Sequence, residues 1–367
     1  MKRKRLLRWA FCLLMVMIAM PRSLVRAEDE SEDSDINRSG VEIVVTAAEA
    51  AEVLRAANRA ADNAEMMELQ SYDLTQNGVV NDIDVRVALW AAAGRIPDLV
   101  KFVERVTTGL LDETAFDRFR YADVYDDGQG NYQSSSVSVT VTEHMLERNV
   151  YFVADIYIQD IRCLATAMPG KSSGRDGYVE TMARENNAVL AINGDYYTQR
   201  MQGPIIRNGE TIVPNVSAAW DVGVLTWTGE LKTFPYRTLT KELLTELNPY
   251  QTWVFGPVLL DETGQPATKF NSAVTPSNPR AVIGYYSPGH YCFILVDGRQ
   301  SKYSVGMTMK ELAALCAEMG LKTAYNLDGG QSAAMATRNG LISRPYGGGR
   351  AVSDIIYIRE LPEDLPA

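Results

Sequence analysis

The sequence predicts an α+β fold: a mixed sheet with hairpins and a few packing helices, preceded by a small all-α module. Three observations predict it. Apolar and polar residues alternate over 134–141 and 151–158, the period of half-buried strands. Asn208-Gly209 and Asn339-Gly340 each join two strand-like runs, and Gly229 sits between the runs 223–227 and 231–234, so all three read as hairpin turns. Helical sequence in this part of the chain is confined to short stretches near 177–186, 239–247 and 308–319. Strands grouped into hairpins with only a few helices argue against a doubly wound sheet.

The elements before that region can be taken in chain order. Lys2, Arg3, Lys4, Arg5 and Arg8 form a basic start, and 9–20 is a twelve-residue apolar run. That run is shorter than the ~20 residues a membrane-spanning helix needs. Val25-Arg26-Ala27 puts small residues where a signal peptidase reads, so 1–27 is expected to be a signal peptide cleaved after Ala27, and the protein secreted or held at the cell surface. Residues 28–35 form an acidic leader. Removing 1–27 takes away seven of the 36 basic residues and none of the 46 acidic ones, leaving a formal charge near −17. Such a charge excludes the basic surface that nucleic-acid binding requires. Three cysteines remain, Cys163, Cys292 and Cys316, too few for a disulfide framework.

Residues 36–97 are Ala-rich and helical, and 98–130 read as a helical connector to a large domain over 131–361. Within the first stretch, Asp73, Thr75, Asn77, Asn81 and Asp84 place side-chain oxygens at positions 1, 3, 5, 9 and 12 of a twelve-residue loop. Val79 offers its carbonyl at position 7, and Gly78 stands at position 6, where the sharp turn falls. A hard cation wants six to eight oxygens converging on it, so Ca2+ is the expected ligand of this loop. A weaker copy of the loop-plus-helix lies 35 residues earlier, where Thr46 to Arg55 align with Asn81 and the helix after it. Its loop would start at Asp35, Asn37, Ser39 and Gly40, but three extra residues precede Glu49. The duplicated unit resembles a dockerin, a two-repeat calcium module in which Asp at position 12 is ordinary. The resemblance implies a cohesin-type protein partner.

The large domain contains no serine-hydrolase elbow, zinc-binding histidine pair or Walker loop. Its two histidines are His144 and His290, so acid–base chemistry falls to carboxylates. In three places a strand runs into polar, Gly-rich sequence: at Asn193-Gly194-Asp195-Tyr196-Tyr197, at Asp297-Gly298-Arg299, and at Asn326-Leu327-Asp328-Gly329-Gly330-Gln331-Ser332. Strand ends hold side chains rigidly, and glycines let backbone N–H groups approach a ligand. Each could equally be a plain Asp-Gly turn.

These segments occur in order with Ile205-Ile206-Arg207-Asn208-Gly209, Phe255-Gly256-Pro257 and Asn278-Pro279-Arg280-Ala281-Val282-Ile283-Gly284. Together, over roughly 151–358, they resemble the phosphodiester glycosidase family, whose bacterial members are exopolysaccharide-related. Gln331 departs from the pattern, standing where many relatives have a third glycine. The resemblance implies hydrolysis between a sugar's anomeric carbon and a phosphate oxygen, on a cell-wall, capsular or exopolysaccharide glycan. It implies paired carboxylates at the centre, and Asp195 and Asp328 are the expected pair, with their roles open between nucleophile and acid or base. Phosphate binding is expected of Arg280, Arg207, the Gly329 and Gly330 amides and the Ser332 hydroxyl, and Asp297 is expected among the substrate-binding residues. Asn193 and Asn326 are expected to orient sugar hydroxyls, and Tyr196 or Tyr197 to stack on a sugar ring. The competing expectation is a non-catalytic carbohydrate-binding or docking protein of a surface complex.

Overall fold

The computed structural model describes residues 124–361 apart from 171–175, 201 and 217–218. Of the preceding chain it describes 46–54 without 49, 73–74, 80, 82–94, 96, 99, 110–111, 113–121 and 123. The chain divides into two compact units, Met1–Asp123 and Val124–Ala367. The expected signal segment 1–27 and acidic leader 28–35 lie outside the described residues. Among the described residues no helix is long and apolar enough to cross a membrane.

In the first unit, helix α1 (Asp82–Ala92) buries Val85, Val87 and Ala88 in a cluster with Ala50, Val53, Leu74, Ile96, Leu99 and Phe116. Of the expected calcium ligands, Thr75, Asn77, Val79 and Asn81 lie outside the described residues. Asp73 is half-buried, and Asp84 is fully buried in the first turn of α1.

The second unit opens at Val124, ahead of residue 131, because β1 (Tyr125–Asp126) and β2 (Tyr132–Gln133) pair across a tight turn. Asp127 closes that turn by accepting the Gln129 and Asn131 amides at 2.7 and 3.0 Å. The chain continues through β3 (Val137–Leu146) and β4 (Asn149–Ile158), the two long strands read from alternation. It then forms β5 (Leu164–Ala167), α2 (Val179–Glu185), β6 (Leu190–Asn193) and the short α3 (Tyr197–Arg200). Hairpin β7 (Ile205–Arg207) and β8 (Glu210–Val213) turns at Asn208-Gly209, where both residues have positive φ. Next come β9 (Val222–Thr226), β10 (Leu231–Phe234), α4 (Lys241–Leu247) and β11 (Pro249–Trp253). The chain ends with β12 (Arg280–Ser287), β13 (His290–Val296), α5 (Met309–Glu318), β14 (Thr323–Asn326), β15 (Met335–Thr337), β16 (Gly340–Leu341) and β17 (Ile355–Ile358).

A seven-stranded sheet runs β1-β2-β3-β4-β13-β12-β14, and a five-stranded sheet runs β16-β15-β6-β17-β5. Smaller sheets are β10-β9-β11 and β7-β8. The ladders between these named strands are antiparallel. The architecture is thus α+β and sheet-rich, with few helices.

Each large sheet buries a face under one helix. Helix α5 starts on a capping box: the Thr308 hydroxyl accepts the Glu311 amide, and the Glu311 carboxylate accepts the Thr308 amide. It lays Met309, Leu312, Ala313 and Cys316 on Val282, Cys292, Ile294 and Val296 of β12 and β13. Helix α2 packs Val179, Met182 and Ala183 on Ala165, Ala191, Ala336 and Ile355 of the five-stranded sheet. The three cysteines of this unit are free and buried.

The register fixes where polar residues gather. β13 and β14 both run antiparallel to β12, with Arg280 opposite Val296 and Val282 opposite Asn326. The end of β13, the end of β14 and the start of β12 therefore share one rim of the sheet. In the five-stranded sheet Asn193 at the end of β6 lies opposite Ile355 at the start of β17, which brings Asp354 beside Gly194. The two rims meet where the Asp328 amide donates to the Gly194 carbonyl at 3.2 Å.

Candidate active site

At this junction lies a buried ion-pair group. The Arg207 Nε donates to Asp354 Oδ2 at 2.7 Å, and its Nη2 lies 3.1 Å from Asp195 Oδ2, at ion-pair distance without hydrogen-bond alignment. Nη1 donates to the carbonyls of Ile206 and Thr252. None of the three side chains is more than 2 % exposed. Asp195 also accepts the Tyr197 amide at Oδ1 (2.9 Å) and the Val254 amide at Oδ2 (3.0 Å). The group carries two carboxylates for one guanidinium. Burial, with Asp195 nearby, raises the Asp354 carboxyl to about 7 against the pull of Arg207. For Arg207 burial opposes the charge, but Asp354 and Asp195 outweigh it and hold the guanidinium protonated. Gly194 is required by close approach: a Cβ there would stand 2.0 Å from Asp354 Oδ1.

The second carboxylate group is more open. Asp328 Oδ2 accepts the Ser332 hydroxyl at 2.6 Å and Arg350 Nη2 at 2.8 Å, and Oδ1 accepts the Gly329 amide at 2.9 Å. Arg350 Nε donates to the Ser332 oxygen at 2.6 Å, and its guanidinium lies 5.0 Å over the Tyr196 ring. The Asp328 side chain is 7 % exposed and that of Arg350 is 38 % exposed, so the pair reaches solvent through Arg350. Burial raises the Asp328 carboxyl above its ordinary value, although Ser332, Arg350 and the Gly329 amide all favour its ionised form. Arg200, stacked at 4.0 Å on Trp220 and 4.5 Å on Phe255, lies within electrostatic reach of Asp328 and Asp195.

The two asparagines tie the strand ends together. Asn193 Nδ2 donates to the Asp328 carbonyl at 2.6 Å and its Oδ1 accepts the Ala334 amide at 3.3 Å. Asn326 Nδ2 donates to the carbonyls of Gly256 (2.7 Å) and Leu327 (2.9 Å), while its buried Oδ1 has no partner. The structure thus brings together Asn193, Asp195, Arg207, Asn326, Asp328, Gly329 and Ser332.

Arg280 and Gly330 sit beside this group. The Gly330 amide donates to the Pro279 carbonyl at 3.0 Å, and a Cβ on Gly330 would stand 3.0 Å from Arg299 Nη2. Arg280 is turned inward, donating to the Met307 carbonyl at 3.0 Å and the Pro276 carbonyl at 2.6 Å. Burial, with Arg299 close by, lowers its pKa to about 10. Asp297 accepts the Tyr303 hydroxyl at 3.0 Å and the Arg344 amide at 2.9 Å, contacts separate from those of Asp328. Its Oδ1 is buried without a partner, and burial raises its carboxyl above the ordinary value. Both histidines lie elsewhere: His144 stacks on Tyr151, and His290 begins β13 at the opposite rim from Asp297.

Sequence reasoning did not single out Asp354 and Arg350. Each had a signal: Asp354 immediately precedes the apolar run 355–358, and Arg350 follows the triple glycine 347–349. Arg299 stood in a quoted motif, but its place against Gly330 comes only from the fold.

Buried carboxylates paired with arginines thus gather at converging strand ends, with no histidine among them. Residues 186–359, just under half of the chain, match the family model of the phosphodiester glycosidases, which marks this segment as part of an enzyme domain of the glycosidase class. Among solved structures, the chain is similar to the zebrafish N-acetylglucosamine-1-phosphodiester alpha-N-acetylglucosaminidase catalytic domain, auto-inhibited by pro-peptide. That match has 20% identity and a TM-score of 0.48, covering 61% of this chain and 83% of the other. A hypothetical protein from Synechocystis is similar at 14% identity and a TM-score of 0.47, over 62% of this chain and 63% of that one. No curated protein sequence matches the chain.

Proposed function

We propose that the domain hydrolyses a sugar-1-phosphodiester bond in an extracellular glycan, with Asp328 as the carboxylate that takes up the proton of the attacking water. The observation that carries this reading is the Asp328–Ser332–Arg350 group at the junction of the two sheet rims, within the segment that matches the phosphodiester glycosidases. Water adds to the anomeric carbon, the bond from that carbon to the phosphate oxygen breaks, and its electrons leave with the phosphate. The water's proton passes to Asp328, whose pKa is raised by burial above its ordinary value, making it a stronger base than an exposed aspartate. Little general-acid help is needed, because a phosphate leaving group is already weakly basic.

Arg350 and Arg299 are the groups we assign to the phosphate, since a guanidinium matches its oxygens. Asp195, with both oxygens engaged, acts with Arg207 and Asp354 as a positioning group. It holds the loop that carries Tyr196, which we assign to sugar stacking.

The test is turnover of a panel of sugar-1-phosphodiesters by the full chain and by Asp328→Asn. Release of free sugar by the parent and not by the variant supports the assignment. A variant with normal turnover removes Asp328 from the mechanism, and a parent inert on the whole panel, yet still binding it, favours a carbohydrate-binding role. Around this domain we further propose export by the 1–27 segment, Ca2+ held by the Asp73–Asp84 loop, and docking of the first unit to a cohesin-type partner. The loop supplies the oxygen donors that a hard cation needs.

A further inference from the structure

The arginine beside Asp328 is delivered by a glycine turn. Arg350 follows Gly347, Gly348 and Gly349, whose φ values are 62°, 78° and 83°. Glycine adopts this left-handed backbone without strain, and it also gives up the most freedom on folding. The turn closes on two hydrogen bonds of its own, from the Gly348 amide to the Pro345 carbonyl at 3.2 Å and from the Gly349 amide to the Tyr346 carbonyl at 3.1 Å. Residues 346–348 are exposed. Beyond Arg350 the chain is fixed again at Val352, which exchanges amide-to-carbonyl bonds with Gly177 at 2.8 and 2.9 Å. Arg350 itself is 38 % exposed, and its pair with Asp328 alone is a weak hold on so long a side chain.

One side chain joins the turn to the segment that follows β14. Gln331 Nε2 donates to the Gly349 carbonyl at 3.2 Å, and a Cβ on Gly347 would stand 3.2 Å from the same nitrogen. The Gln331 amide therefore lies along the turn from Gly347 to Gly349. The Gly349 carbonyl and the Arg350 N–H belong to one planar peptide unit, so a bond to that carbonyl fixes the direction in which Arg350 leaves the turn. Gln331 stands in the short 3-10 turn Gly330–Ser332, and its neighbour Ser332 accepts Arg350 Nε at 2.6 Å. Two adjacent residues thus hold Arg350 at its two ends, Gln331 at the backbone and Ser332 at the guanidinium. A neutral amide does this without adding a charge beside the Asp328–Arg350 pair.

We infer that Gln331 is a positioning residue for Arg350: its amide clamps the glycine turn so that the guanidinium meets Asp328 and Ser332 in one place. The consequence for turnover rests on the glycosidase reading, in which Arg350 takes the phosphate. The placement of Arg350 does not.

The test compares the full chain with Gln331→Met, which has a similar length and no donor, with Arg350→Gln, and with the double variant. The first readout needs no substrate. In the 15N-labelled parent, the Arg350 Nε–H resonance, identified by its loss in Arg350→Gln, is expected to exchange slowly with water. In Gln331→Met that exchange is expected to be at least about tenfold faster, because the turn opens more often. The second readout is hydrolysis of a small sugar-1-phosphodiester. Gln331→Met is expected to lower kcat/KM about tenfold, mostly through KM, and to change it less than about twofold when Arg350 is already Gln. Its melting temperature is expected to stay within about 2 °C of the parent. Unchanged Arg350 exchange in Gln331→Met overturns the inference, and so does a parent whose Arg350 exchanges as fast as a free arginine. A loss of kcat/KM that is just as large without Arg350 also overturns it. If Arg350 exchange depends on Gln331 but the parent hydrolyses no diester, the glycosidase reading fails and the positioning role stands.

Discussion

Two aspartates at converging strand ends have opposite surroundings, and this divides their work. Asp195 is enclosed, with amides and Arg207 on both oxygens, whereas Asp328 shares its oxygens with Ser332 and an arginine that reaches solvent. Replacing Asp328 by Asn keeps the shape and removes the proposed base, so turnover should fall ~100-fold or more with the fold intact by circular dichroism. Asp354 gives a prediction of a different kind. Its folded pKa of about 7 lies above the ~3.9 of an unfolded Asp, so the folded state binds the extra proton between those values. That contribution is complete below about pH 4 and lost as pH rises through about 7. The melting temperature of the parent should fall over this window relative to Asp354→Asn, so the parent's value minus the variant's should be smaller at pH 8 than at pH 5. A difference that grows with pH would mean that Asp354 is held ionised by Arg207.

At the scale of elements, the site depends on two sheets meeting without side-chain spacers. Gly194 makes that approach, with its α-carbon against Asp354 and its carbonyl accepting from Asp328. A methyl group there has no room, so Gly194→Ala should cost about 1–3 kcal/mol, read as a melting temperature several degrees lower. Activity should fall with it, because the same displacement moves Asp328. The elements themselves were largely legible. The alternation over 134–141 and 151–158 became β3 and β4, and the helices near 177–186, 239–247 and 308–319 became α2, α4 and α5. Asn208-Gly209 turned a hairpin as its φ preferences require. The segment 249–253 was not read as a strand: it is short, begins with proline and carries Gln251 and Thr252 buried inside the fold.

At the scale of the whole molecule, the two compact units suggest separable tasks. If the loop of Asp73 holds Ca2+, Asp73→Ala should weaken calcium binding by calorimetry while hydrolysis by the second unit stays within twofold of the parent. Parallel loss of both would show the units to be coupled.

What the sequence by itself determined of the second unit was its family resemblance, carried by ordered strand-end motifs, and the turns between strands. These are local properties, set by residue type and spacing within a few positions. Only the tertiary structure decided the partners. Arg207 meets Asp354 across 147 positions, and Arg350 meets Asp328 across 22. Such pairings follow from strand order and register, which are set by how whole sheets bury their apolar faces and not by any neighbour in the chain.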